Sequence, residues 1–112
     1  MDKRIKECQK KYKNIEMQII NLDGIIAEGE GTNQDKKNLR KLQNQLDDFI
    51  WNEYSRIVFE VFSEKQPKVK DRFSNEVKTF KEAFGSDYSK IPNSLRESLV
   101  GLIIDEGRYK IK

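Results

Sequence analysis

Residues 26–39 read IAEGEGTNQDKKNL, and two glycines, three acids and a threonine here interrupt a chain that otherwise carries helical periodicity. Gly29 and Gly31 offer the positive-φ conformations that let a chain reverse after a helix. Thr32 stands three residues before Asp35, the spacing at which a hydroxyl caps a new helix and an acid favours the positive end of its dipole. The stretch therefore reads as the tip of an antiparallel helical hairpin.

Upstream, Ile5, Cys8, Tyr12, Ile15, Ile19, Leu22 and Ile26 alternate spacings of 3 and 4, an a/d seam over three heptads. Downstream, the second arm can be tested against it, because facing residues of an antiparallel pair have a constant sum of numbers. Ile26 with Leu39, Leu22 with Leu42, Ile19 with Leu46, Ile15 with Ile50, Cys8 with Ile57 and Ile5 with Val61 all sum to within one of 65. Arms of ~25 residues would each be about 38 Å long. Gly24, inside the first arm, predicts a bend or a close neighbour there.

From Phe49 to Phe62 nine of fourteen residues are apolar or aromatic, so this part of the second arm is expected to be buried on several sides. Its cover is expected from residues 67–107. Pro67 suits the first turn of a third helix running to Phe84, with a stripe of Val69, Phe73, Val77, Phe80 and Phe84 and Gly85 as its stop. Pro92 with Asn93 or Ser94 opens a fourth helix ending at Gly107. The tail RYKIK (108–112) is too short to classify and is left to pair or fray. The expected fold is thus all-α and a single domain over 1–112: a long, coiled-coil-like antiparallel hairpin (1–62) packed at its base by a shorter helix pair (67–107).

Composition narrows the chemistry. The 112 residues include no histidine, which removes the commonest general base, the Ser-His and Cys-His dyads and most zinc sites. The adjacent acids Asp47–Asp48 and Asp105–Glu106 point in different directions on a helix and form no catalytic pair. The loop GEGTNQDKK lacks the G-x-x-x-x-G-K-[ST] pattern and carries acids where a phosphate would sit. No enzyme activity, cofactor, metal site or small-molecule substrate is expected. Cys8 is the one cysteine, fitting a reducing, cytoplasmic setting. No apolar run approaches the ~20 residues of a membrane span, and MDKRIKEC lacks the apolar core of a signal peptide.

The expected function is a non-enzymatic protein–protein interaction or adaptor module, self-associating or acting as a small subunit of a larger complex. Ile20 and Ile25 lie off the seam and cannot be buried by a two-stranded stalk; they, with Trp51 and Phe59, are the candidate protein interface. The alternative is a nucleic-acid-binding subunit that contacts the phosphate backbone through two basic clusters. Lys10, Lys11, Lys13, Lys68, Lys70 and Arg72 carry that reading. The net charge of +3, from 22 basic and 19 acidic residues, does not by itself decide the matter. In outline, residues 5–50 resemble the helical hairpins of adaptors and folding cofactors, the tubulin-binding cofactor A family among them. The likeness covers less than half of the chain and implies a shape alone.

Overall fold

The computed structural model describes residues 2–112. The chain is mostly helical, with one small three-stranded sheet, and divides into two compact units, Met1–Phe49 and Ile50–Lys112.

The first unit holds α1 (Lys3–Ala27) and α2 (Asn33–Phe49), which contact one another. Asp2 caps α1 by accepting from the Arg4 N–H at 2.8 Å. The turn between the helices is built as its residues require. Gly29 has φ +81°, and a Cβ on Gly31 would sit 2.7 Å from Cγ1 of Ile26. Thr32 Oγ1 accepts from the Asp35 N–H at 3.1 Å while Asp35 Oδ2 accepts from the Thr32 N–H at 2.9 Å, a reciprocal capping box. Gly24 has nothing near the position of a Cβ, so no neighbour approaches it closely. Ile5, Cys8, Ile15 and Phe49 are buried, whereas Ile19, Leu22, Ile26, Leu39, Leu42 and Leu46 are only half-buried.

The second unit opens on a π-helical turn, Ile50–Tyr54, continues into α3 (Ser55–Lys65), and then departs from the expected helices. The segment expected to form a third helix from Pro67 to Phe84 is instead a β-hairpin followed by a single helical turn: β1 (Lys68–Asp71), β2 (Val77–Thr79) and α4 (Phe80–Phe84). After a 3-10 turn at Tyr88–Lys90 come α5 (Asn93–Ile104) and β3 (Tyr109–Ile111). The tail pairs: β1 is the central strand, antiparallel to both β2 and β3. The reason for the correction lies in the alternation of Lys68-Val69-Lys70-Asp71 and Tyr109-Lys110-Ile111-Lys112. In the first, Val69 and Asp71 are buried between exposed or half-buried lysines; in the second, Tyr109 is buried while Ile111, opposite Val69, is 41% exposed. Neighbours that alternate between two faces have a period a helix cannot use. Phe73, expected in a buried helical stripe, sits in the turn between β1 and β2 with 82% of its surface exposed.

Val58, Val61, Val69, Phe80, Leu99 and Val100 are almost wholly buried. Rings of Phe59, Phe62, Phe80, Phe84, Tyr88 and Tyr109 meet in a chain of tilted and edge-on contacts at 5.1–5.9 Å. α5 passes so close to the following loop that a Cβ on Gly101 would clash with the Glu106 carbonyl oxygen.

Arg96 locks this unit together. Its guanidinium donates to the carbonyls of Ile91 (2.9 Å), Trp51 (3.0 Å) and Tyr88 (3.2 Å) and lies 4.2 Å from the centre of the Tyr88 ring. Changes of helical pitch such as a π-turn displace carbonyls from the ordinary ladder. At the Trp51 carbonyl three side-chain donors converge, from Arg96, the Tyr88 hydroxyl (2.6 Å) and the Ser55 hydroxyl (3.0 Å). Lysine is a point charge without the planar fork. Arg96→Lys should therefore cost about 2–4 kcal/mol, leaving carbonyls short of donors; urea denaturation measures it, and a loss within experimental error of zero would contradict the role.

Candidate functional site

Alternation along the sheet sorts its residues into two faces. Val69, Asp71 and Tyr109 face inward and are buried, and the Phe84 ring of α4 meets Tyr109 at 5.2 Å. On the outer face stand Lys68 and Lys70 of β1, Lys110 and Lys112 beside them, and Val77 and Thr79 of β2. The register sets Lys70 directly opposite Lys110, and the Lys112 N–H donates to the Lys68 carbonyl at 3.0 Å, which extends the ladder to a second lysine pair. Among the described residues no carboxylate forms an ion pair with any of these four ammonium groups.

The arginines at the same end of the sheet are differently placed. Arg72 is paired with Asp105 at 2.6 Å, and Arg108 donates through Nε to Asp71 at 3.1 Å. Asp71, 2% exposed, also accepts from the N–H groups of Phe73 (2.8 Å) and Ser74 (3.4 Å) and so holds the turn that carries Phe73. Asn75 completes that turn at φ +61°, a conformation asparagine tolerates. The Phe73 N–H, above all, draws the Asp71 carboxyl below its ordinary value of 3.8; burial opposes this, and Ser74 and Arg108 reinforce it.

Of the residues expected at a protein interface, Ile20 (55% exposed) and Ile25 (42%) stand open on α1, as does Met17 (54%). Trp51 is half-buried and donates from Nε1 to Glu97 at 3.0 Å. Phe59 is a core residue, 7% exposed and against Phe80 and Tyr88. Of the expected phosphate contacts, Lys68 and Lys70 share the sheet face, Arg72 is engaged by Asp105, and Lys10, Lys11 and Lys13 belong to α1 in the other unit, where Lys11 lies 4.7 Å from the centre of the Phe49 ring. Lys110 and Lys112 were not among the expected contacts; their signal is the alternation of the last four residues.

The described residues line depressions in each unit. A shallow groove of ≈ 590 Å³ between α1 and α2 is lined by Leu22, Ile25 and Leu42 among polar neighbours including Lys41. A smaller cleft of ≈ 240 Å³, between Phe84 and Leu95 in sequence, falls below the usual size of ligand pockets, about 300–1,000 Å³.

A carboxylate whose folded value is depressed stabilises the fold above its unfolded value and loses that contribution as pH falls through the folded one. Asp71→Asn should accordingly lower stability at neutral pH, with the deficit shrinking below pH 3.8. Thermal unfolding from pH 2 to 7 measures it, and a deficit independent of pH would refute the assignment. Comparison with protein-family models, curated proteins and solved structures finds no match to this chain.

Proposed function

We propose that the protein is a non-enzymatic interaction module in which α1 and α2 form a coiled-coil-like antiparallel hairpin that self-associates through its own uncovered apolar surface. The carrying observation is exposure: Met17, Ile20 and Ile25 are each more than two-fifths exposed, while the seam leucines of α2 are only half-buried. Two helices alone cannot enclose a seam, and a bundle of more helices does so by covering the second side of each stripe. A second copy supplies the same stripe with the same spacing, which makes a symmetric pairing self-complementary. The reading places the protein in the cytoplasm, where a lone thiol such as Cys8 stays reduced.

This association deepens the burial of Leu22, Ile25 and Leu42, whose groove between α1 and α2 would receive the apolar residues of the partner helix. Burial of the two most exposed apolar side chains of α1, Met17 and Ile20, would contribute up to about 1.5–3 kcal/mol each. Sedimentation velocity across the micromolar range should show a concentration-dependent rise in mass. Met17→Glu with Ile20→Glu should return the monomer without loss of helical circular dichroism. A wild-type chain that stays monomeric at high micromolar concentration, with unfolding temperature independent of concentration, would overturn the reading.

A further inference from the structure

We infer that the outer face of the three-stranded sheet binds the phosphate backbone of single-stranded nucleic acid. The inference does not rest on self-association, since every residue it uses lies in the second unit.

Like charges directly opposite one another in a sheet destabilise it. This sheet contains two such pairs in succession, Lys70 with Lys110 and Lys68 with Lys112. No described acid neutralises them, although the chain has 19 acids and uses Asp71 and Asp105 to neutralise the neighbouring arginines. The repulsion is thus concentrated on the solvent side, where a bound polyanion relieves it. Along β1, Lys68 and Lys70 are separated by two residues, about 6.8 Å. That is roughly twice the 3.4 Å rise per phosphate of a stacked duplex strand, a step that an extended single strand reaches.

The exposed aromatic points to a single strand over a duplex or a membrane. Single-strand binders combine a track of cations with side chains on which unpaired bases stack. Phe73, 82% exposed, is held at the end of the β1–β2 hairpin by the Asp71 carboxylate. Both nearby arginines, which would be the groove-reading side chains on a duplex, are committed to acids. The lysines carry charge without a planar fork, so the face should grip the backbone with little sequence preference.

Fluorescence anisotropy of the full-length protein with a labelled oligo(dT) or oligo(rU) tests the inference. Binding should weaken steeply with salt. Replacing Lys68, Lys70, Lys110 and Lys112 together by Gln should lower the slope of log affinity against log salt by about 3, given ~0.7 per phosphate on single strands. The same variant should unfold at a higher temperature than the wild type, because the cross-strand repulsion is gone; a merely destabilised variant would move the other way. Phe73→Ala should weaken binding about fivefold or more, whereas Lys36→Gln with Lys37→Gln on α2 should leave it unchanged. An unchanged salt slope in the four-lysine variant, equal loss in the α2 variant, no binding at low salt, or preference for phosphatidylserine vesicles over oligonucleotide would each overturn it.

Discussion

The pairing of Tyr109–Ile111 with Lys68–Asp71 decides the second unit. Residues 72–108, 37 in all, separate the strands, so the entropy of closing that loop must be met before any ladder bond forms. The return comes from both sides at once: β1 pairs with β2 on one edge and β3 on the other, and its Val69 is then wholly buried. Without β3, residues 68–79 would be an isolated two-stranded hairpin, which is at best marginally stable in water. With it, the inner face has a floor on which α4 and α5 rest, and the outer face acquires a fixed register. The lysines stand opposite one another because of that register.

The same unit solves a second problem around Trp51. Its π-turn sits at the start of α3, and a single residue, Arg96, reaches back from α5 to three carbonyls while covering the Tyr88 ring. A charged hydrogen bond is roughly twice as strong as a neutral one, and the fork fixes three directions together. The connector from Gly85 to Pro92, which has little regular structure of its own, is thereby anchored to α3 through Tyr88, whose hydroxyl also meets Ser55. Polar networks of this kind specify one arrangement when every member is satisfied. Apolar packing around Phe59 and Phe80 adds to the stability of that arrangement.

The first unit was legible because its signals are local. The glycine turn at Gly29–Gly31 and the Thr32 capping box that opens α2 follow from residues within four positions of one another. α5 was legible from Pro92 for the same reason. The failure at 67–84 has an equally definite cause: Val69, Phe73, Val77, Phe80 and Phe84 fit a helical stripe, and the competing period of two was present only as four residues at 68–71 and four at 109–112. Either fragment alone is too short to outweigh the stripe, and only their pairing makes them strands. The candidate sheet face shared this difficulty, since Lys68 and Lys70 were visible as a cluster but Lys110 and Lys112 join them only through tertiary structure. Phe59 illustrates the opposite error, an aromatic offered as surface that the core absorbed.

Whole-chain charge concealed what the sheet does with it. The four outer-face lysines place four of the 22 basic residues on one small sheet, in a chain whose net charge is only +3. A near-neutral protein can therefore present a locally cationic surface, and at physiological salt the Debye length of about 8 Å confines the attraction to ligands that come within contact of it. Local departures from stable design, here like-charge pairs in a sheet and apolar side chains left open on α1, are expected where a surface has a task. The two departures fall in different units and differ in chemistry, one cationic and one apolar. Salt would weaken the proposed binding at the first and leave the proposed association through the second largely intact, because apolar burial does not depend on counterion release.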